Sequence, residues 1–317
     1  MVTLSHKAKQ YLLVALKVLI LAATFGYVYV KLQDTNAQTI EQFTTSLTSN
    51  TQITAYLLLF VFLAISNWFF EILKWKTVVS AVEKIPFWTA TKQSLSALTV
   101  SLITPNRIGD YGAKAMYYKP SIRKQILLLN FFSNGMQMCV TIIFGVIGLA
   151  FVHAYFDISI SLFNLALLFI IVLLFAFLAY LFKERELLVK GFTIAKVWLY
   201  LKQLSAKIKL KTAAYSLIRY TLFSLLFYAL LRFFGVNESI WILLPIIFAM
   251  YLLVSIIPTL FILDVVVRGG VAVWLFSLAG IPELPVLCTV LAMWLLNFVI
   301  PAIWGSFYVL TFKPKIA

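Results

Sequence analysis

The sequence predicts an all-α integral membrane protein of six transmembrane helices plus two re-entrant broken-helix hairpins, arranged as two inverted repeats. Three observations predict it. Of 317 residues, 63% are hydrophobic and only 12% charged, about half the charge of a soluble domain, and the mean hydropathy is +0.99. Apolar runs of about 20 residues, the length that crosses a hydrocarbon core, recur between basic loops. Finally, the polar stretch from Ser101 to Lys114 has an echo: adding 154 to Ser101, Asp110 and Lys114 gives Ser255, Asp264 and Arg268. Leu102-Ile103 maps likewise onto Ile256-Ile257, and Pro105 is answered by Pro258 after a one-residue slip. A broken segment recurring half a chain apart is the mark of two structural repeats.

The elements follow in order. Tyr11 to Val30 is the first span; it is longer than a usual signal-peptide core, although Thr35-Asn36-Ala37 has small residues where cleavage would fall. Lys17 within it snorkels or faces the bundle. Lys31 to Gln52, polar and Thr-rich, lies outside. Ile53 to Leu73 is the second span, and Trp75 between Lys74 and Lys76 marks a cytoplasmic interface. Phe87 to Ile103 enters from the cytoplasm, breaks at Thr104 to Gly109 and returns, because both ends of this unit are basic. Leu127 to Val152 spans outward, with Asn130, Asn134 and Gln137 as interior groups suited to interhelical hydrogen bonds. Ser159 to Phe182 spans back.

From Lys183 to Lys211 eight basic residues stand against two acids, interleaved with Trp198, Leu199 and Leu201, which suits an amphipathic helix on the inner leaflet. Ala213 to Phe234 spans outward, with Arg219 and Arg232 snorkelling near its ends. Ile240 to Ile257 breaks at Pro258, and Asp264 to Ala279 leaves towards a loop without Lys or Arg, so this second hairpin opens outwards. Val286 to Leu310, carrying Asn297 and Pro301, is the last span. The chain is then a single membrane domain over 1–317, with repeat one at 1–152 and repeat two at 153–317. The basic amphipathic segment 183–211 lies inside, and both termini are cytoplasmic.

The net charge of +15 would suggest nucleic acid in a soluble protein. Here the basic residues sit in loops and meet anionic inner-leaflet lipids. Cys139 and Cys288 lie in apolar runs without metal spacing and read as packed thiols. His6 and His153 stand apart from any carboxylate cluster, and the 28 Phe, 15 Tyr and 8 Trp suit lipid-facing and interfacial packing. No Gly-x-Ser-x-Gly, His-Glu-x-x-His or P-loop pattern is present, so neither a catalytic residue nor a metal or cofactor site is expected.

Chemistry concentrates in the two broken segments. Ionisable groups at membrane depth are costly and face a cavity or a partner. Asp110 and Lys114, like Asp264 and Arg268, are four residues apart and share a helix face. A helix opened by Gly109-Asp110 points its positive end into the membrane, and Arg107, Lys114 and Arg268 add cations around it. That combination suits a phosphate-bearing head group. The alternative reading of the same residues is that each Asp/cation pair only locks its hairpin.

Thr104-Pro105-Asn106-Arg107-Ile108-Gly109-Asp110-Tyr111 resembles the signature of the lysylphosphatidylglycerol synthase transmembrane-region family and its stand-alone flippase-like members. The stretch from Pro258 to Gly270 is similar to that family's second, Pro-containing motif. Asn106 stands where a Gly is common, and Thr259 to Leu263 replaces a Gly-rich run. The soluble aminoacyl-transferase domain of the full-length synthases is absent from this sequence. The resemblance implies a flippase-like lipid translocase, moving an anionic phospholipid or polyprenyl-linked lipid between leaflets of the cytoplasmic membrane. Substrate would be bound by Thr104, Asn106, Arg107, Asp110, Lys114, Asp264 and Arg268, with a partner enzyme supplying the lipid. The alternatives are a membrane-embedded enzyme or accessory subunit acting on a polyprenyl-phosphate-linked sugar, or a small-solute secondary transporter.

Overall fold

The computed structural model describes residues 52–102, 104, 108–157, 193–257 and 261–312, with backbone alone for 261–264. The expected spans Tyr11 to Val30 and Ser159 to Phe182 lie outside the described residues, as does the first part of the basic segment.

Ten α-helices and no β-strand occur among the described residues. Helix α1 (Ile53–Val79) is apolar and free of Gly and Pro, so nothing interrupts it over 27 residues. Pro86, extended at φ −67° and ψ 161°, stops the chain from continuing a helix, and α2 (Phe87–Ser101) starts directly after it. After the break comes the short α3 (Gly109–Met116). A single turn at Pro120–Ile122 leads into α4 (Arg123–Tyr155). Helix α5 (Ile194–Gln203) is capped by Thr193, whose hydroxyl accepts from the Lys196 amide at 3.2 Å. Ser205 caps α6 (Ala206–Phe233) in the same way.

Helix α7 (Ile240–Ile256) ends because Ile257 precedes a proline and is pushed to extended backbone, φ −79° and ψ 115°. Then follow α8 (Phe261–Ser277), α9 (Glu283–Trp294), a π turn at Leu295–Val299 and α10 (Ile300–Leu310). Pro301 lacks the amide that would bond the Asn297 carbonyl, so the helix widens there. That freed carbonyl accepts from Trp68 Nε1 at 3.2 Å.

Among the described residues, four helices are long and apolar enough to cross a membrane: Ile53–Val79, Pro120–Tyr155, Ala206–Phe233 and Glu283–Leu310. They coincide with four of the six expected spans. Helix α1 packs along α6, α4 along α7, and α10 along α2. Adding 154 to the bounds of α1, 53–79, gives 207–233, which is α6 within one residue. The same shift carries α2 onto α7 and α3 into α8. Glycines permit the two outer pairings. A Cβ at Gly148 of α4 would meet the Pro245 carbonyl and the Ala249 amide of α7, and one at Gly305 of α10 would meet the Leu95 carbonyl of α2. The shift that maps α2 on α7 maps Leu95 on Ala249, but it maps Gly148 on Ala302, three residues before Gly305, so the two close approaches are similar without sharing one register.

Three sequence-based expectations change. Lys74 and Trp75 are buried at 1% and 0% exposure, because α2, α4 and the turn at Tyr118 pack over this face, so they are not interfacial anchors. The aromatic residues do not only face lipid: Phe144, Tyr220, Phe248, Phe223, Tyr251, Phe227 and Phe276 form a connected set of ring contacts inside the bundle. Cys139 is exposed on α4 rather than packed.

Candidate functional site

The break between α2 and α3 is built by Thr104. Its hydroxyl accepts from the Gly109 amide at 2.7 Å and donates to the Ser101 carbonyl at 3.1 Å. A Cβ at Gly109 would come within 2.7 Å of the Val100 carbonyl, so only glycine allows α3 to begin this close to the end of α2. Thr104 thus takes the first free amide of α3, and Asp110 is left to pair elsewhere. It pairs with Lys114 Nζ at 3.1 Å and accepts from Asn130 Nδ2 at 2.6 Å and Asn134 Nδ2 at 3.2 Å.

Lys114 is buried at 2% exposure. It also donates to Asn130 Oδ1 at 2.9 Å and sits 4.6 Å above the centre of the Trp75 ring. That ring is held in turn by Nε1 donating to Gln93 Oε1 at 2.7 Å, an oxygen that also accepts from Tyr118 at 2.9 Å. The ammonium is therefore compensated by a carboxylate, an amide oxygen and a π face.

A second ionic cluster, not foreseen in the sequence, lies on α1 and α6. Glu71 Oε2 is 2.9 Å from Lys74 Nζ and 2.6 Å from Arg219 Nη1. Arg219 Nη1 also donates to Gln137 Oε1 at 3.0 Å, and its Nε donates to the Asn67 carbonyl at 3.3 Å. Asn67 Nδ2 donates to Asn297 Oδ1 at 3.0 Å, linking α1 to the π turn. Arg219 therefore turns inward and does not snorkel. The two clusters line one cavity. Together they hold three cations and two carboxylates. Gln137 closes the arrangement by donating to the Ser216 carbonyl at 3.3 Å. Asn130, Asn134 and Gln137 thus make the interhelical bonds expected of them, and Asn297 makes one as well.

Both clusters face one cavity of about 730 Å³, within the range of ligand pockets. Its charged lining is Glu71, Lys74, Asp110, Lys114, Arg219 and Arg268, with Ser255 to Ile257 from the second break and Tyr220, Phe223 and Tyr251 as apolar wall. Ile256 and Ile257 belong to this lining and are also exposed at 64% and 40%, so the cavity reaches the surface past aliphatic side chains. Of the residues singled out in the sequence, Asp110, Lys114 and Arg268 meet around this space, and Thr104 supports it from behind. Asn106, Arg107 and the side chain of Asp264 lie outside the described residues. Among the described residues no group of three or more His, Cys, Asp or Glu is placed to hold a metal.

A multi-pass helical membrane protein with a charged cavity between two helix breaks is the class these features define. The family model described as Lysylphosphatidylglycerol synthase TM region matches residues 14–305. The chain belongs to that family, a membrane domain tied to lipid-related function. No curated protein and no solved structure is significantly similar to it.

Proposed function

We propose that the protein is a flippase-like translocase for an anionic, phosphate-bearing lipid, acting without bond-making chemistry of its own. The observation that carries this reading is the cavity. It gathers ionised side chains from both helix breaks inside an apolar bundle and reaches the surface past Ile256 and Ile257. A head group in the cavity then has an aliphatic exit for its chains, which a sealed aqueous funnel for a solute would lack. Intramembrane charge kept at such cost is used.

In this reading the two breaks are re-entrant tips of two inverted repeats, over 1–152 and 153–317. The 154-residue shift between the helix bounds supports that symmetry. Arg107 and Arg268 contact the phosphate, while Lys114 contributes its field to the cavity and holds Asp110. Asp264 orients Arg268 as Asp110 does Lys114, and Asn106 shapes the tip. The protein sits in the cytoplasmic membrane with both termini inside. Helix α5, with Trp198 and Leu199 exposed and Lys196 and Lys202 beside them, rests on the anionic inner leaflet. A partner enzyme delivers the lipid.

The test is reconstitution into vesicles containing fluorescent phosphatidylglycerol, with dithionite added outside to bleach the accessible leaflet. Wild type exchanges label between leaflets faster than protein-free vesicles. Arg107→Ala slows exchange with folded yield retained, and Arg107→Lys, which keeps charge but loses the bidentate fork, falls between. Exchange at the protein-free rate would refute translocation of this lipid class.

A further inference from the structure

Lys114 and Lys74 are buried and committed, each to a carboxylate, at 2% and 1% exposure. Arg219 differs. A guanidinium carries five N–H donors in a planar fork. Nε is used on the Asn67 carbonyl, and Nη1 on Glu71 and Gln137. The Nη2 amino group makes no hydrogen bond among the described residues, although the side chain lines the cavity. A second observation points the same way. The hydroxyls of Ser94 and Tyr220, residues 3% and 4% exposed, line the same cavity and have no hydrogen-bond partner among the described residues. Buried hydroxyls without partners cost free energy, and the Nη2 edge of the cavity-lining, 18% exposed Arg219 is open to an incoming acceptor. All three can donate, and the α1–α6 and α3–α4 clusters together carry one cation more than they have carboxylates. The missing partner is an anion with several oxygens.

We propose that Arg219 is a further phosphate-docking residue of the cavity, with Glu71 as the stand-in anion that holds its guanidinium when no substrate is present. On arrival a phosphate oxygen takes the Nη2 edge and competes with Glu71 for Nη1, and side-chain rotation turns the buried hydroxyls of Tyr220 and Ser94 to the remaining oxygens. Glu71 keeps Lys74 as its partner, so the exchange leaves no buried carboxylate alone. This rests on the translocation reading for its lipid, but the anion site itself does not require it.

The two members of the Glu71–Arg219 pair should then respond with opposite signs. Binding is measured on purified full-length protein by the thermal shift that a short-chain phosphatidylglycerol or inorganic phosphate produces. Arg219→Gln is expected to weaken phosphatidylglycerol binding by about tenfold or more, the effect of one lost charge-assisted hydrogen bond. Arg219→Lys is intermediate. Glu71→Gln, which keeps the shape and an acceptor for Lys74 but removes the competing charge, is expected to tighten binding. A pair that only staples α1 to α6 would give weaker binding for both, and that result overturns the proposal. So does Arg219→Gln binding like wild type. If inorganic phosphate binds as tightly as the lipid with the same opposite signs, the Arg219 site stands and the lipid reading falls. If the lipid binds and is translocated regardless of Arg219, the reverse holds.

Discussion

Removal of the Lys114 ammonium is the perturbation whose size the structure specifies best. In Lys114→Ala the Asp110 carboxylate, 18% exposed, keeps only the neutral amides of Asn130 and Asn134. Asn130 Oδ1 loses its donor, and the Trp75 ring loses the cation above it. Breaking a buried ion pair by deleting one partner costs about 3–5 kcal/mol, a large share of the roughly 5–15 kcal/mol that holds a folded domain. Lost packing of the lysine stem adds to this, so Lys114→Met, which keeps the stem, isolates the charge. The assay is equilibrium unfolding in mixed micelles for Lys114→Met, Asp110→Asn and the double variant. Each single substitution is expected to destabilise strongly, and the double variant to recover much of the loss, because it leaves neutral polar groups that satisfy one another. The expected coupling is about 2 kcal/mol or more, near the upper part of the range for contacting residues. Losses that simply add in the double variant would refute the claim that Asp110 and Lys114 act as one buried unit.

Two further outcomes follow from the packing and the topology. Gly148→Val and Gly305→Val should each reduce folded yield sharply in detergent gel filtration, because the new side chain meets backbone of α7 or α2 that cannot yield; Gly112→Ala, with nothing within 4 Å of its Cβ, should express like wild type. Cysteines placed at Glu283 and Lys207, and labelled from outside intact cells with an impermeant maleimide, should react at 283 alone; labelling at 207 would overturn the assigned orientation.

Much of the fold was legible in the sequence because its determinants are local. Ile53–Val79 and Ala206–Phe233 are long apolar runs without breakers, and the bilayer selects helices from such runs whatever their neighbours. The break at Ile257 follows from Pro258, and the one before α3 from a Gly that alone fits against Val100. Asp110 and Lys114 were readable as a pair because four residues on a helix bring them together. The offset of 154 read between a handful of residues also separates the bounds of α1 and α6 to within one residue. The site was legible only in part. Glu71 and Lys74 carry the same letters as an interfacial anchor, and Arg219 those of a snorkelling residue at a span end. Whether such side chains meet head groups or a buried carboxylate depends on which helix packs over them. Helix α6 packs along α1 and brings Arg219 to Glu71, while α2 and α4 bury Lys74 and Trp75. The partners of Asp110 were hidden for a similar reason, since Asn130 and Asn134 reach its carboxylate only because α4 packs against α3. The α1–α6 pairing sets two charges 2.6 Å apart from segments distant in sequence. No local pattern encodes such a contact, because it forms only where tertiary packing takes both groups out of water together and their attraction offsets the shared desolvation cost.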